Sequence, residues 1–127
     1  MTEDERKHFA TSFISGLRSR DAATLEPLMT PDVVWSLPGA SAVSGEARGV
    51  DGILARAKKF ADRELRIEIE HVVIGYDGVA LLLHNTGTHG GKVLDEHLTT
   101  IIHFEGRRIK RLDTYISDVP MLERYFQ

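Results

Sequence analysis

Proton transfer needs a side chain that titrates near neutral pH and reaches its substrate. This chain offers six histidines. His71 lies in a stretch of period two and shares a face with Ile67, Ile69 and Val73, which turns it toward an apolar interior. It is the candidate proton-transfer group; the plainer alternative is a hydrogen-bonded core histidine. Asn85 alternates in phase with Leu83 and points the same way. Its amide has the donors to orient a carbonyl or a water. His84 alternates away from both, while His97 and His103 share a face with Thr99 and Ile101, opposite Thr100. His89 sits in a turn and His8 on the polar side of a helix. Of the carboxylates, Asp118 suits a helix cap and Asp113 a pairing with Arg107, Arg108, Lys110 or Arg111.

Metal chemistry is not expected. His84 and His89 are five apart and Asp95, Glu96 and His97 are adjacent, spacings that do not converge on one face of a strand. Cysteine is absent, which removes disulfides and thiolate ligands. Gly87, Gly90 and Gly91 read as a hairpin turn and not as a phosphate loop, so no cofactor is expected.

The elements that must position these groups centre on Val33–Leu37. Its β-branched and aromatic residues predict a strand, with Val33, Trp35 and Leu37 on one apolar face and Pro38 at its end. Before it, Thr2 and Glu5 have capping-box spacing, and Phe9, Ala10, Phe13, Ile14 and Leu17 form one helical stripe. Asp21 caps a second, short helix, and Thr30-Pro31-Asp32 reads as a turn. After a loop, a third helix begins near Gly49, with Ile53, Leu54, Ala57, Phe60 and Ala61 inside and Arg56, Lys58 and Lys59 off the stripe. The period then changes to two: strands from Leu65, Val79, Val93 and Arg108 follow one another through short turns, so they should be antiparallel neighbours. Asp118 and Pro120 open a terminal helix carrying Leu122, Tyr125 and Phe126. The expected class is α+β: a cone-shaped, curved, mostly antiparallel sheet, covered on its concave face by three helices, in one domain over residues 1–127.

The formal net charge of −3 gives no electrostatic footprint for nucleic acid. No apolar run reaches the length of a membrane span, and the acidic start, Met1-Thr2-Glu3-Asp4-Glu5, does not read as a secretory leader. A cytoplasmic protein without nucleic-acid or membrane partners is the expectation.

Asp32-Val33-Val34-Trp35, Pro38-Gly39, Gly45, Arg48-Gly49 and Gly106-Arg107-Arg108-Ile109, in this order, resemble the superfamily of nuclear transport factor two, ketosteroid isomerase and SnoaL-like polyketide cyclases. The resemblance covers nearly the whole chain and implies a cystatin-like α+β barrel around an apolar pocket, often dimeric. It does not carry ketosteroid isomerase chemistry over. Where that enzyme has its base, its tyrosine and its protonated acid, this chain has Leu37, Phe13 and Thr100. Thr114 stands where limonene epoxide hydrolases place a carboxylate, and Leu83-His84-Asn85 offers no charged pair.

Two functional expectations follow. In the first, a SnoaL-like enzyme moves a proton on a small apolar carbonyl or polyketide-like compound. His71 and Asn85 then act within walls made of Phe13, Trp35, Leu37, Leu83, Thr100, Ile102 and Thr114. In the second, the chain is a non-catalytic ligand-binding or dimerisation module. A homodimer is expected in either case, because Ile101, Val79 and Tyr115 read as lying on the sheet's uncovered face.

Overall fold

The computed structural model describes every residue, Met1–Gln127. Helix α1 (Glu3–Ser19) starts with the reciprocal capping box: Thr2 Oγ1 accepts from the Glu5 amide and Glu5 Oε1 accepts from the Thr2 amide. It buries Ala10, Phe13, Ile14 and Leu17. Asp21 caps α2 (Ala22–Leu25), and Pro27 sits in the 3₁₀ turn Glu26–Leu28 that follows, where it removes no helical hydrogen bond.

Strand β1 (Met29–Leu37) begins earlier than its apolar core suggests. Thr30-Pro31-Asp32 belongs to the strand and not to a turn. The pairing with the last strand slips between Met29 and Val34, and this irregularity accommodates a proline that cannot donate. The loop after it contains a short strand the sequence does not announce, β2 (Gly45–Arg48), paired antiparallel to β1. Helix α3 (Gly49–Asp62) follows at once. Then come β3 (Arg66–Ile74), β4 (Gly78–His89), β5 (Lys92–Glu105), β6 (Arg108–Ile116) and α4 (Val119–Tyr125).

The six strands form one open sheet in the order β2-β1-β6-β5-β4-β3. The last four are antiparallel neighbours, and β1 joins β6 in parallel. The fold is α+β, with a cone-like curved sheet whose concave face is closed by α1, α3 and α4. Arg56, expected on the solvated side of α3, is buried. It donates from Nη1 to the Trp35 carbonyl and from Nη2 to the Gly45 carbonyl, both at 2.8 Å, and lies over the Trp35 ring at 4.8 Å. Loss of hydration lowers its pKa to about 10, so it stays charged at neutral pH while tying β1, β2 and α3 together. At the other end, Tyr125 of α4 lies across Gly87 of β4 and donates its hydroxyl to the Arg63 carbonyl. A Cβ at Gly87 would collide with that hydroxyl, so the helix can sit this close only over a glycine.

Candidate functional site

Side chains alternate along a strand, so the concave face collects every second residue of each strand. On β4 these are Val79, Leu81, Leu83 and Asn85; on β5 they are Leu94, Glu96, Leu98, Thr100 and Ile102. Val79, expected on the uncovered face, therefore belongs to the core: it shares the parity of Leu81 and Leu83 and pairs with Ile102. Glu96 is the exception in an apolar row. It is 2 % exposed and lies directly opposite Asn85 in the β4–β5 ladder.

The concave face, α1, α3 and α4 enclose a cavity of about 20 Å³, room for about one water molecule. Its walls are mostly hydrophobic, with Phe13, Leu17, Trp35 and Phe60 on one side and Leu83, Leu98 and Leu122 on others. Phe13, Trp35 and Phe60 pack edge to face, with centroids 5.6 and 5.9 Å apart. The polar lining consists of Asn85, Glu96, Thr100 and Thr114. Trp35 Nε1 donates to Thr114 Oγ1 at 2.8 Å, and the Thr100 and Thr114 hydroxyls share a hydrogen bond at 2.8 Å. These three satisfy one another. Asn85 Oδ1 and both carboxylate oxygens of Glu96 have no protein partner.

A buried carboxylate without donors is costly in its charged form. Burial, aided by the negative charge of Asp118, raises the Glu96 pKa to about 7. Glu96 is thus poised to give or take a proton at neutral pH, the property a general acid–base group requires. Beside it, the Asn85 amide can hold an oxygen on which negative charge develops.

Leu17, Phe60, Leu65 and Ile67 line the cavity and also floor an outer cleft of about 430 Å³ between α1, α3 and β3. These four side chains separate the interior from solvent. Anything larger than water would have to displace them to reach the interior.

Of the residues expected at the site, Phe13, Trp35, Leu37, Leu83, Asn85, Thr100 and Thr114 line the cavity. Ile102 is fully buried but packs in the core away from it. His71 does not reach it. The β3–β4 register shifts between Ile69 and His71, and this bulge turns His71 outward while Val72 takes the inner side. Glu96 was hidden among Asp95 and His97, although its place in the Leu94–Leu98–Ile102 period marks it as the charged member of a buried row.

The outer face holds most of the other titratable groups. Asp118 caps α4 through the Met121 amide at 3.0 Å. Burial pushes the Asp113 carboxyl up, but the Ser36 hydroxyl at 2.6 Å and Arg111 Nε at 3.0 Å prevail and hold it below the usual range. His84, His97 and Glu70, from three neighbouring strands, come together here, a convergence that linear spacing within one strand does not reveal.

A family profile described as "SnoaL-like domain" matches residues 10–112. The uncharacterized protein Rv0034 of Mycobacterium tuberculosis (strain ATCC 25618 / H37Rv) is 28% identical over 130 residues, covering 99% of each chain. Among solved structures, Bal32a from a soil-derived mobile gene cassette superposes with a TM-score of 0.89 at 21% identity, covering 98% of both chains. TerC, co-crystallised with polyporic acid, superposes with a TM-score of 0.80 at 18% identity, covering 97% of this chain and 99% of that one. At these identities the two structures are alike in fold. No helix of the chain is long and apolar enough to cross a membrane.

Proposed function

This chain belongs to the SnoaL-like domain family of the nuclear transport factor two superfamily, and on that premise we propose that it is an enzyme moving a proton on a small, mostly apolar carbonyl compound of polyketide type. One observation carries the reading: Glu96 is buried opposite Asn85 in an apolar cavity, with both oxygens free of protein partners. In the ionised form, Glu96 removes a proton from the carbon beside the carbonyl. The electron pair moves onto the carbonyl oxygen, where the Asn85 amide donates to it. The protonated Glu96 then returns the proton to carbon at a second position, which completes an isomerisation, or to a departing hydroxyl, which completes a dehydration. The threonine pair and Trp35 keep their own hydrogen bonds throughout and serve as walls.

The substrate class is found by thermal-shift screening with apolar ketones, phenols and aromatic polyketides, since a ligand of the folded state raises its midpoint. Polyporic acid is an apt first compound, given the TerC crystals. With a turned-over compound in hand, Glu96→Gln should lower kcat by about 10²–10⁴-fold. It should also abolish a pH limb near 7, while Glu96→Asp restores part of the rate. Turnover unchanged in Glu96→Gln would sink the role of Glu96. Binding without turnover of any compound would favour the non-catalytic ligand-binding module, a reading supported by the tight fit of the cavity.

A second copy of the chain completes the proposal. The outer sheet face carries Tyr115, 66% exposed, and Val73, 46% exposed, with Leu82 and Ile101 half-buried between polar neighbours. No element of the chain covers this apolar strip, and pairing of two such faces would bury it.

A further inference from the structure

From the convergence of Glu70, His84 and His97 on the outer sheet face, we infer that each chain carries a binding site for a divalent transition-metal ion, with Zn²⁺ the natural occupant. The ligand atoms of these three residues lie within 4.8 Å of one another. Backbone register builds the cluster. His84 and His97 are directly paired across β4 and β5, and their rings stack with centroids 4.4 Å apart and planes 10° from parallel. The bulge that turns His71 outward also lies at Glu70, which reaches His97 with Oε1 at 2.9 Å from Nδ1. Asp95 Oδ1 stands 2.6 Å from His84 Nε2 and supplies a further carboxylate at the rim.

Two imidazoles and a carboxylate form a donor set that suits Zn²⁺. Tetrahedral coordination with bonds of about 2.0–2.1 Å requires donors closer together than 4.8 Å. The closure is available through rotation of side chains that are all partly or largely exposed. Glu68, Glu70 and Asp95 make the surroundings negative. A dication placed there answers that field. Three protein ligands leave the fourth position of the ion to water or to a small anion. The site stands on the opposite side of the sheet from Glu96, takes its three ligands from one chain, and shares the outer face with Tyr115.

The test is isothermal titration of the untagged protein with Zn²⁺ at pH 7.5, followed by Co²⁺ absorption spectroscopy. One equivalent per chain is expected, with the intense visible bands of a four-coordinate Co²⁺ site. His84→Gln and His97→Gln should each weaken binding by about 100-fold or more, and Glu70→Gln by about 10-fold. His71→Gln and His89→Gln should leave it unchanged. These positions are on the surface, and circular dichroism checks that each variant remains folded. Absence of saturable binding overturns the inference. So does binding that survives both His84→Gln and His97→Gln, which would place the ion elsewhere.

Discussion

Glu96 is the residue with the most to reveal, because its proton links the cavity to the stability of the fold. Folded, it titrates near 7; unfolded, it reverts to the ordinary carboxyl value of 4.5. Between these values the folded chain binds more protons than the unfolded one. The contribution of Glu96 to stability is therefore fully present below about pH 4.5 and is lost as pH rises through 7. Glu96→Gln keeps the shape and removes the charge. At pH 8 the variant should exceed the parent in stability by about 1–3 kcal/mol, and near pH 4 the two should nearly coincide. Urea denaturation at both pH values measures the difference. Equal gaps at the two values would show that Glu96 is already hydrated and ordinary. A residue that stabilises the protein when replaced, yet abolishes turnover, has the signature of a group retained for chemistry.

At the scale of elements, the seat of α4 offers the clearest test. Gly87→Ala should cost about 1–3 kcal/mol, because the added methyl meets the Tyr125 hydroxyl. Tyr125→Phe removes that hydroxyl and its bond to the Arg63 carbonyl. If the collision is the cause, the double variant is more stable than the sum of the two single changes predicts, and a double-mutant cycle in urea reads the coupling. Additive effects would place the cost of Gly87→Ala elsewhere. Elements are also where the sequence stops being readable. Helix α1 could be drawn from Thr2 and Glu5 alone, and the inward row of β5 from its period of two. The bulge in β3 leaves no mark in residue types: Ile67, Ile69, His71 and Val73 alternate as if the strand were regular. One inserted residue exchanges inside and outside from His71 onward, so the expected proton carrier ended on the surface. Arg56 was misplaced for another reason. Its partners are the carbonyls of Trp35 and Gly45, and backbone acceptors are invisible to a pattern of side chains.

For the whole molecule, the exposed strip around Tyr115 predicts pairing of two chains through their sheets. Sedimentation at micromolar concentration should show a dimer, and Tyr115→Glu should convert it to a monomer without loss of helix or sheet. A monomeric parent would refute the pairing. The overall architecture was legible because order and turn length constrain antiparallel neighbours so strongly, whereas the parallel junction of β1 with β6 joins strands with no turn between them. That junction also sets a timetable. During synthesis, β1 and β2 emerge early and can pair with each other, yet the other edge of β1 belongs against β6, which ends only at Ile116. The strands β3 to β6 can zip up through adjacent hairpins, while β1 waits for its second partner about 80 residues downstream. Until then one edge of β1, the strand that carries Val33, Trp35 and Leu37, lacks its neighbour in the sheet. Helix α3 lies between these early strands and the late ones in the chain, and its Arg56 ties β1 to β2 through the carbonyls of Trp35 and Gly45.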